Sequence, residues 1–167
     1  MEKTNLVLIG MAGAGKSTIG VGLAEKLRLA HIDADDLIER LEKKSFQKII
    51  DSVGDEQARR IEERYLVDLS FSRDSVIVTS GSAVYSDEAM RLFKKNSALI
   101  FLDLPFEIIE SRLVDKHARG IIGFKTKTLK QLYDERKPLY EKYADITISL
   151  LGHEKIEEVV ERIINNI

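Results

Sequence analysis

Two short stretches of the chain carry residues whose types and spacing can do chemistry. In "GMAGAGKST", residues 10–18, Gly10, Gly15, Lys16 and Ser17 fill the pattern G-x-x-x-x-G-K-[ST]. A loop of this kind turns backbone N–H groups, here those of Ala12, Gly13, Ala14, Gly15 and Lys16, onto a polyphosphate, and Thr18 continues the cradle. The Lys16 ammonium can bridge the β- and γ-phosphates, the Ser17 hydroxyl can ligate Mg²⁺, and a following helix N-terminus adds favourable partial charge. Downstream, "HIDADD" at 31–36 crowds Asp33, Asp35 and Asp36 together. Carboxylates repel phosphates unless a metal lies between them or a proton has to be taken away, so the two stretches together point to metal-assisted phosphoryl transfer. If Asp33 and Asp35 both lie on a strand end they point to one side, at the sheet edge where open α/β folds hold their ligands. Asp35 or Asp36 equally suits the N-cap of a helix over "LIERLEKK".

These residues need elements to position them. Short apolar runs alternate with longer stretches of helical period, the pattern of a parallel sheet wrapped by helices. Strands are expected at 5–10, 30–33, 75–80, 98–103 and 145–149, apolar enough to be buried on both faces. Helices are expected to begin at Lys16, near Ala34, near Asp55, near Ser86, at Pro105 or Phe106, near Thr128 and near His153. "ARGIIGFKTK", 118–127, interrupts this rhythm with glycines and basic residues and reads as a mobile loop. The final segment has an amphipathic helical pattern whose apolar face suits packing on the sheet. Tyr133, Tyr140 and Tyr143 recur at helical spacing and read as packing residues.

The 167 residues suffice for one domain spanning the whole chain, 1–167. The net charge of -2 lacks the basic surplus of a nucleic-acid binder. The chain has no cysteine, which excludes disulfides and thiolate metal sites, and no long apolar span. A cytoplasmic monomer without nucleic-acid or membrane partners is expected. His31, His117 and His153 are scattered without metal-ligand spacing and read as surface or packing residues.

The base-reading Asn-Lys-x-Asp of a GTPase is missing, and the D-x-x-G match "DSVG" at 51–54 sits in a helical region rather than behind a strand. Asp103, ending "ALIFLD", has the look of a Walker B carboxylate and could assist the metal. A second set of pieces lies further along: "GDEQARRIEE" with Arg59 and Glu62, "VTSGSAVYS" with Gly81, and "DERKPLYEKYAD" with Arg136.

In this order, from "GMAGAGKST" through "IDADDLIE", "GDEQARRIEE", "VIVTS", "HARGII" and "ERKPLYEKYAD", the chain resembles the shikimate kinase family over nearly its whole length. The resemblance implies an α/β P-loop kinase fold with a five-stranded parallel sheet in the order 2-3-1-4-5, flanked by helices, and a lid at roughly 112–127. It implies ATP and Mg²⁺ as cofactors, and phosphorylation of a shikimate hydroxyl to shikimate 3-phosphate in aromatic amino-acid biosynthesis. Asp35 matches the base that contacts the acceptor hydroxyl, and Asp33 the carboxylate near Mg²⁺, usually through water, with Ser17 as the other metal group. Arg59 and Arg136 match the arginines that clamp the acceptor carboxylate, and Glu62 the acid that holds the first of them. Arg119 matches the lid arginine that closes over the phosphates, Arg112 an arginine on the nucleotide side, and Gly81 and Ser82 the substrate-facing turn.

Three positions depart from the family pattern, all on the acceptor side. A three-glycine run is "SGS" at 80–82, an aromatic pocket wall is Ala58, and a lid proline is Gly120. These changes suggest a looser acceptor side, with Ala58 leaving room and Gly120 loosening the lid. They leave open a kinase of another small hydroxy acid, such as gluconate. A catalytically silent nucleotide-binding module is the reading from another class.

Overall fold

The computed structural model describes residues 5–113 and 120–167. Among them the elements run β1 (Asn5–Ile9), α1 (Lys16–Leu27), β2 (Ala30–Asp33), α2 (Ala34–Glu42), α3 (Phe46–Leu69), β3 (Ser75–Val78), a 3₁₀ turn (Ala83–Tyr85), α4 (Asp87–Asn96), β4 (Ser97–Asp103), α5 (Phe106–Arg112), α6 (Leu129–Tyr143), β5 (Ile146–Ser149) and α7 (Ile156–Ile164). The strands form one parallel sheet in the order β2-β3-β1-β4-β5, as the resemblance implied. Val7 of β1 lies beside Ile77 of β3 and Leu99 of β4, and all three are fully buried. The continuous burial expected of every strand holds for β1 and β3, and for β4 except at Ala98 and Asp103. The edge strands differ, because each has one flank without a neighbour: in β2 no residue is fully buried, and in β5 Ile148 alone is.

The order of the strands decides where the chemistry goes. Val78 of β3 lies level with Asp33 of β2 on one side and Leu8 of β1 on the other. The loops that leave these three strands therefore emerge together at the carboxyl edge, where open α/β sheets bind ligands.

Helix boundaries follow local chemistry. Ser86 caps α4 by accepting the Ala89 N–H at 3.1 Å, and Thr128 and Gln131 form a reciprocal capping box at the start of α6. α3 differs from expectation. It begins at Phe46, after the Ser45 cap, and the helix expected near Asp55 is its second limb beyond a kink at Gly54 (φ 80°, ψ 169°). The first limb is fixed by Phe46, Ile49 and Ile50, which at helical spacing bury one face in a small cluster with Ile38, Ala58 and Ile122. "DSVG" thus ends this limb rather than following a strand. α7 starts at Ile156, since the Glu154 carboxylate accepts the N–H groups of Leu151 (2.7 Å) and Gly152 (2.8 Å) and holds the preceding residues in a turn. As expected, α7 buries its apolar face, through Val159, Val160 and Ile163.

In the expected lid Arg112, Lys125 and Thr126 are exposed, but other described residues pack inward. Ile121 joins the main core, Ile122 joins the small cluster on α3, and Leu113 is fully buried. Residues 114–119 of the expected lid, roughly 112–127, lie outside the described residues.

Candidate active site

The cradle is built at the β1–α1 junction. Gly15 caps α1 with a φ of 90°, and Lys16 opens the helix. The Lys16 side chain is buried, and Nζ donates to the carbonyls of Gly10 (2.7 Å) and Met11 (2.8 Å). Burial lowers its pKa to about 8, against the opposing pull of Asp35 and Asp33. Ala12, Gly13, Gly15, Lys16, Ser17 and Thr18 line a cleft of about 630 Å³ together with Asp33, Asp35, Gly81 and Arg112. Ala14 is buried, and its N–H donates to the Met11 carbonyl at 3.1 Å. Arg112 tethers the cradle from α5, donating to Gly13 O at 3.2 Å and Gly152 O at 2.9 Å.

The carboxylates divide their work differently from the simplest reading. The cap of α2 is Asp33, not Asp35 or Asp36. Its Oδ1 accepts the N–H groups of Asp35 (3.0 Å) and Asp36 (3.4 Å), while its Oδ2 accepts the Ser17 hydroxyl at 2.7 Å. Only Asp33 ends the strand, whereas Asp35 stands in the first turn of α2 and still reaches the cleft. With capping done by Asp33, the Asp35 carboxylate is free for other work, and its Oδ1 is buried without a hydrogen-bond partner. Burial raises its pKa to about 7, helped by the charges of Glu62 and Asp33 and opposed by Lys16. Asp36 is exposed.

Ser17 and Asp33 together offer one hydroxyl and one carboxylate at the cradle mouth. That hard-oxygen pair suits Mg²⁺, which keeps several waters and takes phosphate oxygens as ligands. Asp103 does not join them. Both its oxygens accept the Lys137 ammonium, at 2.9 and 3.0 Å, which fixes the end of β4 to α6 and satisfies the charge there.

Across the cleft, the turn after β3 meets α3 and α6. The Glu62 carboxylate is buried, and its two oxygens accept the hydroxyls of Ser80 and Ser82, the latter at 2.8 Å. Burial pushes Glu62 upward in pKa, countered by these hydroxyls and by the charges of Arg136 and Arg59. The Arg136 guanidinium is 1% exposed and donates to the Ile122 carbonyl at 2.7 Å and to the Tyr85 hydroxyl at 3.3 Å. Arg59 lies with its Cζ 4.0 Å from the Tyr85 ring centroid, and its Nε is buried without a partner. Gly81 is required by space. A Cβ there would sit 2.9 Å from Arg136 Nη1 and 3.1 Å from the Ala12 nitrogen. Tyr140, read as packing, stacks on Phe101 at 5.0 Å and also donates its hydroxyl to the Gly81 carbonyl at 2.6 Å.

The three departures take on definite roles. Ser82 has ordinary backbone angles (φ −88°) and Ser80 is not among the positive-φ residues, so the turn tolerates both side chains and uses their hydroxyls on Glu62. Ala58 does not leave room. It is fully buried among Phe46, Ile49, Ile50 and Ile122, which fill the space. Gly120 does not loosen a segment that proline could fix: its φ is +58°, closed to proline, and a Cβ would lie 2.8 Å from the Gln47 nitrogen.

The structure thus brings the cradle, Asp33, Asp35, Gly81 and Arg112 to one cleft, sets Arg136 against Gly81, and places Arg59, Glu62 and Ser82 along a separate recess. Arg119 and His117 lie outside the described residues. His31 and His153 are exposed, away from any metal arrangement among the described residues. Tyr85 is the neighbour that sequence reading missed. It sits in "SGSAVYS" beyond the turn, and no period or motif singles it out.

Comparison with known proteins bears on this site. The family model described as "Shikimate kinase" matches residues 12–167. A shikimate kinase of Persephonella marina is 35% identical over 162 residues, covering 95% of this chain and 98% of that protein. Among solved structures, shikimate kinase from Acinetobacter baumannii in complex with shikimate superposes with a TM-score of 0.87 at 27% identity, covering 98% of this chain and 92% of that one. Shikimate kinase from Aquifex aeolicus gives a TM-score of 0.83 at 32% identity, covering 96% and 94%.

Proposed function

The chain belongs to the shikimate kinase family, and we propose that it transfers the γ-phosphoryl group of ATP to a hydroxyl of shikimate, giving shikimate 3-phosphate. The observation that carries this reading is one cleft lined by the phosphate cradle and by Asp35, whose Oδ1 has no partner, with Arg136 against its Gly81 and Arg59 in a separate recess beside Tyr85. The chain is a phosphotransferase with an alcohol acceptor, ATP-binding through its P-loop.

Lys16, opening α1 at the cradle, meets the β- and γ-phosphates by turning its ammonium from the loop carbonyls. Ser17 and Asp33 would hold Mg²⁺, which would supply neutralisation of the phosphate charge. Asp35 takes the acceptor proton. Its carboxylate lacks a competing partner on one oxygen, and a proton affinity near neutrality suits a general base. Arg59 and Arg136 clamp the acceptor carboxylate, for which planar guanidinium forks are suited, while Gly81 and Ser82 border the acceptor. Arg112 secures the nucleotide side, and Arg119 contributes charge over the transferred group. A cytoplasmic monomer without nucleic-acid or membrane partners completes the proposal, supported by the net charge of -2.

The test is ADP release with ATP and Mg²⁺ across a panel of shikimate, gluconate and no acceptor. Turnover dependent on shikimate is expected. Turnover with gluconate alone, or none with any acceptor, overturns the reading.

A further inference from the structure

Two guanidiniums meant for one carboxylate must be held close together while that carboxylate is absent, although their charges repel. The charge of Glu62 acts on both from nearby, but its oxygens accept the Ser80 and Ser82 hydroxyls. What lies against both arginines is Tyr85. The Arg59 Cζ is 4.0 Å from its ring centroid and the Arg136 Cζ 5.2 Å. The Arg136 Nε donates to the phenol oxygen at 3.3 Å, and the phenol in turn donates to Glu135, which also accepts the Lys127 ammonium. The ring is thereby fixed at its hydroxyl end.

We propose that Tyr85 is a positioning residue of the acceptor site, using ring and hydroxyl to hold Arg59 and Arg136 at the separation a carboxylate needs. The chemistry favours a tyrosine over an acid in this place. An aromatic face attracts a cation through its quadrupole but does not neutralise it. Both guanidiniums therefore keep their full charge for the incoming anion, which an aspartate or glutamate would have to be displaced to permit. The buried, unpartnered Nε of Arg59 fits this account, since it is a donor held ready rather than spent. Tyr85 is half-buried and lines a recess of about 170 Å³ with Arg59, Glu62 and Ser82, so its removal need not collapse the core.

The inference rests on the reading of Arg59 and Arg136 as the acceptor clamp, and the experiment separates the two. Steady-state kinetics are measured for wild type, Tyr85→Ala and Tyr85→Phe with shikimate and with its methyl ester, which lacks the charged carboxylate. Tyr85→Ala is expected to raise the shikimate KM about tenfold, the effect of one cation–aromatic contact, with kcat and the ATP KM little changed. Tyr85→Phe, which keeps the ring, is expected to recover most of that loss, and the ester should be insensitive to both changes. A shikimate KM in Tyr85→Ala that is unchanged or lowered, or a rise shared equally by the ester, overturns the inference. A wild type inactive on shikimate overturns the substrate reading instead. In that event the arginine Nε–H resonances still decide the inference: Arg59 should lose its ring-current shift and sharpen in Tyr85→Ala, and unaltered Arg59 and Arg136 signals sink the positioning role.

Discussion

Asp35 and Asp33 sit two residues apart and do opposite jobs, because Asp33 spends its oxygens on the α2 cap and Ser17 while one Asp35 oxygen has no partner. Burial is the largest cause of the Asp35 shift to about 7, with Glu62 next. Carboxyl-carbon NMR of the free protein should therefore show Asp35 titrating near neutrality, and Glu62→Gln should move the midpoint down by removing a negative neighbour. A midpoint in the ordinary aspartate range contradicts this. The linkage has a definite sign. A carboxyl whose folded pKa is raised supports stability below its unfolded value of 3.8 and loses that support as pH rises through about 7. Asp35→Asn should accordingly stabilise the fold at pH 8 by about 1–3 kcal/mol, discounted for partial exposure, and by nothing near pH 3. The same change should cut turnover by roughly 10²–10⁴ while ATP binding persists. A loss under about threefold would make Asp35 a bystander. Of these roles, the cradle was legible from four fixed positions, but Asp35 could be read equally as a cap. Only the hydrogen bonds at Asp33 separate the two.

At the level of elements, the acceptor side is more tightly built than its departures suggest. Ala58 belongs to the packing of the α3 first limb, a helix that sequence reading missed because Gly54 breaks its period before the charged second limb begins. Ala58→Phe should therefore overpack this cluster and cost about 1–3 kcal/mol, read as a lower denaturation midpoint, with no gain in shikimate KM. Gly120→Pro should also destabilise, because proline cannot reach a φ of +58°. An improved KM from either change would mean that the acceptor pocket is open where the structure has it filled. Gly81→Ala tests the β3 turn from the other side. Its Cβ would press on Arg136 Nη1 and the Ala12 nitrogen, so acceptor KM should rise with stability falling modestly. The turn itself was visible in "SGS", but the use of its serines on Glu62 was not, because the partner lies a helix away in α3.

For the whole molecule, periodicity alone supports a parallel α/β sheet, while the order β2-β3-β1-β4-β5 came from the ordered set of motifs and is what the structure has. That order carries the function. It sets the cradle after β1, Asp33 and Asp35 after β2, and the Thr79–Ser82 turn after β3 at one edge, and α6 brings Arg136 behind Gly81 from far along the chain. No local pattern encodes such a meeting, which is why Tyr85 and the Asp103–Lys137 pair emerged only in three dimensions. If the assembled edge is a shikimate kinase site, all its parts must act on one molecule. The most direct measurement is ³¹P and ¹H NMR of the protein incubated with ATP, Mg²⁺ and shikimate. The account predicts ADP and shikimate phosphorylated at its 3-hydroxyl in equal amounts, with Lys16→Ala giving neither; ADP and free phosphate with unmodified shikimate would contradict it.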